Sequence, residues 1–308
     1  MALFNHTPVL LKEVVGRLTP KPGGRYFDGT VGGAGHAEAI LEAIGSTGRL
    51  LGCDQDGAAV EAANERLARF EGQFEIRQLN FVEVGDWLDQ GSFDGALLDL
   101  GVSSHQFDVA ERGFSLRWDG PLDMRMDQRI ERTAGDLVNE LPESELGRIF
   151  WDYGGEPGAR AVAKAIGRER GVGRIDSTLQ LAGLVERILP RRGRIHPATR
   201  VFQALRVAVN DELRRLEEGL GLMWSLLRSK GRLAVITFHS AEARLVKQFG
   251  RRLSRGYRVD GDADLPAFRQ PAPVEWMWRE KKAIQPTRDE ILRNSRARSA
   301  QLRVMEKL

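Results

Sequence analysis

Several features of secreted, membrane and metal-binding proteins are scarce or missing in this sequence. Cys53 is the only cysteine among 308 residues, which excludes an internal disulfide and a cysteine-rich metal cluster. No apolar run approaches the length of a transmembrane helix, and no cluster of His and Asp has metal-ligand spacing. Lys12 and Glu13 interrupt the apolar N-terminus, which lacks a signal-peptide layout. These absences favour a cytoplasmic protein with no membrane partner and no metal.

Charge is unevenly distributed along the chain. The net charge is only +3, yet residues 279–308 hold nine Lys or Arg against four Asp or Glu. Residues 187–206 add six arginines and no acid. Two basic segments in a chain of otherwise ordinary globular composition favour a phosphate-rich partner such as a nucleic acid.

The order of predicted elements indicates the fold class. Strands alternate with helices up to about residue 105, residues 108–200 show only helical periodicity, and a buried strand at 231–238 resumes the first pattern. This order predicts an α/β fold with a parallel sheet and a helical insertion between strands four and five. The predicted domains are 1–107 with 201–308, and the insertion 108–200. A long helix is expected from Pro197 to about Leu216, and a final strand near 300–304.

A glycine-rich turn between two acids is the most informative motif. It runs Asp28-Gly-Thr-Val-Gly-Gly-Ala-Gly-His36, and Asp54 ends the next predicted strand 19 residues after Gly35. Glycines let the backbone approach a ligand closely, and an acid at the tip of the second strand can accept hydrogen bonds from both ribose hydroxyls. The motif therefore predicts a nucleoside-containing cofactor.

The chemistry of the turn distinguishes between cofactors. Glu38 stands where the dinucleotide fingerprint has its third glycine, and Asp28 would repel a pyrophosphate. S-adenosylmethionine has no phosphate, and its sulfonium and ammonium groups are cationic. A methyltransferase is therefore favoured over an NAD-dependent oxidoreductase.

A third acid, Asp99, ends the fourth predicted strand. Ligands of open α/β sheets bind outside the carboxyl ends of the strands, so Asp28, Asp54 and Asp99 are expected to converge on one crevice. Leu100-Gly101-Val102 follows Asp99 where DNA amino-methyltransferases have Pro-Pro and an aromatic residue. The spacing alone thus leaves the acceptor atom open.

The sequence resembles the RsmH (MraW) family of methyltransferases, and the similarity extends over nearly the whole chain. The shared motifs are His6-Thr-Pro-Val-Leu-Leu11, Asp28-Gly-Thr30 with Gly35-His36, Leu97-Leu-Asp-Leu-Gly-Val-Ser-Ser104, Arg112-Gly-Phe-Ser115, Gly120-Pro-Leu-Asp-Met-Arg-Met-Asp127, His196-Pro-Ala-Thr-Arg200 and Phe238-His-Ser240. Two positions depart from the family pattern, which has Gly at Ala34 and Pro at Ser295. The resemblance implies S-adenosyl-L-methionine as cofactor and, as substrate, the N4 amine of a specific cytidine in the decoding region of 16S ribosomal RNA, in the small subunit or its precursor.

The resemblance also implies contacts with the cofactor. These are made by Ala34, Gly35, His36, Asp54, Phe81, Asp99 and Gln106, in addition to Asp28 from the glycine-rich turn. Phe81 is expected to pack against adenine, with plain core packing as the alternative. For Gln106 the alternative is a solvated loop residue.

Candidate catalytic and RNA-binding residues follow from the reaction. Asp99, or the carbonyl of a neighbouring turn residue, is expected to accept an N–H of the poorly nucleophilic cytosine amine. Ser103, Ser104 and His239 are secondary candidates, and a structural role is as well supported for His239. A base splayed out of its stack needs aromatic or apolar side chains beside it and cations that bind the phosphates. The candidates for the base side are Phe114, Trp118 and Met124, and those for the phosphates are Arg191, Arg192, Arg194 and Arg200. A non-catalytic RNA-binding or ribosome-assembly factor is the alternative function.

Overall fold

The chain forms two compact units in a computed structural model that describes residues 8–191, 193, 195–259 and 264–308. Residues 102–212 form a helical unit, and residues 8–101 with 213–308 form an α/β unit. The sequence placed the boundaries near 107 and 200. The helical unit extends further because Val201, Phe202 and Leu205 are part of its own core.

The described part of the chain contains these strands and helices. The strands are β1 (Arg25–Asp28), β2 (Arg49–Asp54), β3 (Phe74–Gln78), β4 (Phe93–Asp99), β5 (Leu227–Thr237), β6 (Tyr257–Val259), β7 (Arg269–Pro271), β8 (Trp276–Trp278) and β9 (Gln301–Lys307). The helices are α1 (Leu11–Leu18), α2 (Gly35–Ile44), α3 (Gly57–Leu67), α4 (Ser104–Asp108), α5 (Ala134–Glu140), α6 (Glu143–Asp152), α7 (Ala159–Glu169), α8 (Thr178–Ile188), α9 (Thr199–Asn210), α10 (Glu212–Leu226), α11 (Ser240–Leu253) and α12 (Arg288–Arg293).

The α/β unit is built on a seven-stranded sheet in the order β3-β2-β1-β4-β5-β9-β8. Strands β1 to β5 pair in parallel, and β9 runs antiparallel to both β5 and β8. The carboxyl ends of the parallel strands therefore lie along one edge of the sheet. The predicted α/β class, with a helical insertion between strands four and five, is confirmed.

The sheet is covered on both faces, as the alternation of its side chains requires. Tyr26, Leu50 and Leu97 belong to a core shared with α1, α2 and α3. Phe27 and Leu98 point to the opposite core, which contains the apolar residues of α10 and α11. No helix in the described ranges is long and apolar enough to cross a bilayer.

The predicted long helix from Pro197 to Leu216 is wrong. The chain forms α9 and α10 instead, separated at Asp211, whose φ of 51° is left-handed. Asp tolerates this conformation better than most residues, but the helical periodicity continues across it. The pattern of apolar residues alone therefore did not reveal the break.

The helical unit is stabilised by a buried asparagine at the end of α9. The Asn210 side chain is 4% exposed, accepts the Met126 N–H at 2.7 Å and donates to the Met124 carbonyl at 2.8 Å. Met124 has a left-handed φ of 59°. Asn210 therefore holds a strained turn to the helix.

We expect Asn210→Ala to destabilise the helical unit by about 2–4 kcal/mol, because the buried amide of Met126 and carbonyl of Met124 lose this partner. Thermal unfolding of the purified chain, followed by circular dichroism, measures the loss. Gln128→Ala is the control in the same unit, since Gln128 is exposed and its side-chain amide donates to the Arg125 carbonyl, three residues away. Equal unfolding midpoints for Asn210→Ala and the wild type would contradict the role of Asn210.

Candidate active site at the carboxyl edge of the sheet

Three aspartates end three strands of the α/β unit. Asp28 ends β1, Asp54 ends β2 and Asp99 ends β4, and β1 lies between β2 and β4. Adjacent strands are about 4.8 Å apart, so the three carboxylates lie along one short stretch of the edge. The structure thus brings together the three acids that the sequence placed at strand ends.

Asp28 and Asp54 hold the backbone of the glycine-rich turn. Asp28 accepts the Thr30 N–H at 3.1 Å and is 1% exposed. Asp54 accepts the N–H of Gly32 at 2.8 Å and of Asp56 at 2.9 Å. These bonds fix the Asp54 carboxylate at the tip of β2, where an acid can accept hydrogen bonds from ribose hydroxyls.

The electrostatics of this edge disfavour ionised acids. Burial, opposed by the hydrogen bond from Thr30 and reinforced by the charge of Asp54, raises the pKa of Asp28 to about 7. Burial and the charges of Asp28 and Glu242 raise the pKa of Asp99 well above its ordinary value. Among the described residues, neither Asp28 nor Asp99 is paired with a lysine or arginine. A bound cation would relieve this accumulation of acids.

Asp99 presents an unused acceptor at the end of β4. Its Oδ1 is buried and accepts no hydrogen bond from the described residues, while Oδ2 lies 3.6 Å from Nδ1 of His36. Nε2 of His36 lies 3.0 Å from the Val9 carbonyl, to which it donates in the tautomer that leaves Nδ1 unprotonated. A buried carboxylate oxygen without a partner is rare in folded proteins, so Oδ1 remains a candidate acceptor for a ligand donor.

The glycine-rich turn has a local structural explanation at two positions. Ala34 precedes α2 with a left-handed φ of 57°, which accounts for the glycine expected there from the family resemblance. A Cβ on Gly35 would lie 2.7 Å from the Pro8 side chain. The lack of a side chain at Gly35 is therefore required by packing inside the protein.

Sequence reasoning missed two residues at this edge. Thr30 accepts the Asp99 N–H through Oγ1 at 2.6 Å, which ties β4 to the turn after β1. Glu242 accepts the N–H of Phe238 at 2.7 Å and of His239 at 3.2 Å, and its Oε1 lies 2.9 Å from Nε2 of His239. The only sequence signal for Glu242 is its position in the first turn of α11, which is typical of a helix cap.

The structure shows what surrounds two of the predicted site residues, His239 and Phe81. Nε2 of His239 lies 2.9 Å from Oε1 of Glu242 at the start of α11, yet neither ring nitrogen makes a hydrogen bond to the described residues, so its catalytic and structural roles both stay predictions. Phe81 is 8% exposed, and a Cβ on Gly219 of α10 would lie 2.2 Å from its ring. Phe81 therefore packs against α10, and its contact with adenine stays a prediction.

Other predicted site residues belong to the helical unit. Ser103 accepts the Gln106 N–H at 3.2 Å, and Gln106 Oε1 accepts the Ser103 N–H at 3.0 Å, which forms a capping box on α4. Gln106 is 4% exposed, so the alternative of a solvated glutamine is wrong. The side chain of Ser104 lies outside the described residues.

The residues predicted to contact RNA differ in their exposure to solvent. Phe114 is buried edge-on against Phe107, and Met124 is fully buried, so both support the core of the helical unit rather than an open wall. Trp118 is 62% exposed. Arg191 and Arg200 are exposed, and Arg200 donates to the Gly155 carbonyl at 3.2 Å. Arg192 and Arg194 lie outside the described residues.

A sheet of this order, with acids at the ends of β1, β2 and β4, defines a Rossmann-like protein of the S-adenosylmethionine-dependent methyltransferase class. The sequence model of the MraW methylase family matches residues 3–308. The chain belongs to that family, as the resemblance predicted.

Curated relatives match the chain over its full length. Ribosomal RNA small subunit methyltransferase H of Geobacter sulfurreducens is 49% identical and is aligned over 99% of this chain and 99% of its own. The protein of the same name from Trichlorobacter lovleyi is 46% identical over 100% of both chains. That from Heliobacterium modesticaldum is 44% identical over 99% of both.

Proposed function

We propose that this protein transfers the methyl group of S-adenosylmethionine to the N4 amine of a specific cytidine in the decoding region of 16S ribosomal RNA, in the small subunit or its precursor. Membership of the MraW methylase family and the names of the relatives support the reaction and the RNA class. The observation that carries the proposal within the structure is the unpartnered Oδ1 of Asp99 beside Asp28.

The residues at the edge fit S-adenosylmethionine. The cofactor supplies an electrophilic methyl group on a positively charged sulfur. Asp54, which ends β2, supports binding of the ribose, and Asp28 and Asp99 supply acidic groups that no arginine or lysine of the described chain pairs with. A pyrophosphate would add negative charge to the same edge, which disfavours a dinucleotide.

Asp99 orients the acceptor in this mechanism. A cation beside it lowers its pKa and favours the carboxylate. Oδ1 would then accept one N–H of the cytosine amine, which stabilises the positive charge that develops on nitrogen as the N–C bond forms and the S–C bond of the cofactor breaks. Oδ1 would also take up the proton that the methylated amine loses. Thr30 fixes the Asp99 backbone, and this alignment reduces the entropic barrier of the displacement.

The proposed function is tested with 16S ribosomal RNA from cells that lack this protein. Purified protein and isotopically labelled S-adenosylmethionine should add one methyl group at N4 of one cytidine, located by mass mapping of nuclease fragments. RNA binding without methyl transfer would support the non-catalytic assembly factor instead. A methyl group on another base or atom would overturn the proposed target.

The affinity for S-adenosylmethionine should depend on pH. Binding of a cation favours ionised Asp28, whose pKa in the free protein is about 7, so the association constant should rise by up to about tenfold per unit between pH 5.5 and 7. Isothermal titration calorimetry should also show proton release, as an observed binding enthalpy that varies with the ionisation enthalpy of the buffer. Adenosine, which lacks the positive charge, is the control, and a pH-independent affinity for both ligands would contradict the prediction.

A further inference from the structure

One cavity of the α/β unit is strongly basic. Its volume is about 590 Å³, within the range of small-ligand sites. It is lined by residues of α11, β8 and β9 and of the segment before α12, namely Lys247, Arg251, Trp278, Lys281, Lys282, Ala283, Gln285, Gln301 and Arg303. We name it the α11–β9 pocket. Five of its nine lining residues are cationic and none is acidic.

The cations of the α11–β9 pocket lack acidic partners. Arg279 and Glu280, which lie between the lining residues Trp278 and Lys281 in the chain, form ion pairs with Glu306 and Arg17. Within the described ranges, no such pair includes any of the five pocket cations. The pocket therefore concentrates uncompensated positive charge, which attracts an anionic ligand.

Arg303 is the deepest of these cations. Its Nε is buried and makes no hydrogen bond to the described residues, and its guanidinium lies 5.3 Å from the centre of the Trp278 ring. Burial, followed by the charge of Arg251, lowers the pKa of Arg303. An unsatisfied buried donor at the base of a cationic cavity points to a ligand with acceptor oxygens.

The pocket lies close to the candidate active site along the sheet. Gln301 pairs with Thr237 on β5, and Ile236 of β5 pairs with Asp99 on β4. Gln301 and Asp99 are therefore two strands apart, about 10 Å between their backbones, and their side chains lie on opposite faces of the sheet. A single-stranded RNA of a few nucleotides that crosses the carboxyl edge of the sheet can reach both.

We propose that the α11–β9 pocket binds a phosphodiester group of the RNA substrate, a few nucleotides from the base held at Asp99. The inference rests on the proposed function. RNA is favoured over an acidic protein because Trp278 adds an aromatic surface to the cations, a combination typical of single-stranded nucleic acid sites. Lys247 and Arg251, one turn apart on α11, provide the outer phosphate contacts.

The test neutralises the exposed outer cations with Lys247→Gln and Arg251→Gln together. Binding of a labelled 16S fragment is measured by fluorescence anisotropy over a range of salt concentrations. The double variant should bind about tenfold more weakly, and the slope of log K against log salt should become shallower by up to about 1.4, because each lost contact with single-stranded RNA contributes about 0.7. Lys281→Gln with Lys282→Gln tests the opposite wall of the pocket.

A matched control removes the same charge outside the pocket. Lys230 and Arg252 are exposed, do not line the cavity, and belong to β5 and α11. Their double substitution to Gln should leave the affinity and the salt slope close to those of the wild type. Equal effects of the pocket and control variants, or wild-type slopes for both pocket variants, would overturn the proposal. Binding of inorganic pyrophosphate is measured with the same variants. If the pocket variants lose pyrophosphate binding but bind RNA normally, the pocket is a site for free phosphate and the proposal is wrong.

The outcomes separate this inference from the proposed function. RNA binding and methyl transfer are measured in separate assays, each with the 16S fragment and with an unrelated RNA hairpin. If neither RNA is methylated but the pocket variants weaken binding, the target is wrong and the phosphodiester site stands. If the 16S fragment is methylated and the pocket variants bind it normally, the function stands and the pocket proposal fails.

Discussion

Asp99→Asn should lower kcat for methyl transfer by about 10²- to 10³-fold, the effect typical of removing one preorganised electrostatic group from a transition state. Asn keeps the size of the side chain and one acceptor oxygen, but it lacks the negative charge that stabilises a developing ammonium. Oδ1 of Asp99 is buried and unpartnered, so no described group replaces it. Single-turnover kinetics with the 16S fragment measures the change.

The kinetic pattern distinguishes catalysis from structural damage. Asp99 is desolvated and destabilised as an anion, so Asn should leave the fold intact and the KM for RNA close to the wild-type value. His36→Gln is the companion variant, since it changes the neighbour of Oδ2 and leaves Oδ1 in place. If Asp99→Asn and Asp99→Ala both bind cofactor normally and turn over at the wild-type rate, Asp99 is not the acceptor.

The strand-end acids could be predicted from the sequence because parallel strands impose a common geometry. Each apolar run that ends in Asp places its carboxylate at the same edge, whichever order the strands adopt. Asp28, Asp54 and Asp99 therefore converge as the pattern required. The helical insertion was visible for a similar reason, since strand periodicity stops after β4 and resumes at β5.

Contacts between residues distant in sequence could not be predicted in this way. Phe81 is covered by Gly219 of α10, a packing that no local pattern encodes. The break at Asp211 depends on one backbone dihedral angle. The contact between His239 Nε2 and Glu242 Oε1 is local in sequence, yet a histidine and a glutamate at this spacing are equally typical of a helix cap and of a catalytic pair. Side-chain geometry was needed in each case.

The acids that favour a cationic cofactor should also destabilise the free protein. Burial places the pKa of Asp28 at about 7 in the folded chain, above its ordinary 3.8. The folded state therefore binds more protons than the unfolded state between these values, and stability falls as pH rises from about 4 to 7. A shift of this size corresponds to at most about 4 kcal/mol, at 1.36 kcal/mol per unit.

Asp28→Asn should therefore raise the free energy of unfolding of the cofactor-free protein, by roughly 2–4 kcal/mol near pH 8. Asn can still accept the Thr30 N–H through its side-chain oxygen, so the turn keeps its hydrogen bond. Denaturant unfolding at several pH values measures the gain, which should shrink toward zero as pH falls to about 4. The same variant should bind S-adenosylmethionine more weakly and lose most of the pH dependence of binding.

Asp56→Asn is the control for this stability effect. Asp56 is also buried, but it caps α3 by accepting the Ala58 N–H at 3.1 Å, and Asn caps helices as well as Asp does. Its substitution should change stability by less than about 1 kcal/mol at every pH. If Asp28→Asn is more stable but binds the cofactor poorly, Asp28 destabilises the free protein and stabilises its complex with the cofactor. If the wild type and Asp28→Asn give the same unfolding curves from acid to alkaline pH, burial does not raise the pKa of Asp28. The argument that these acids favour a cationic cofactor would then be wrong.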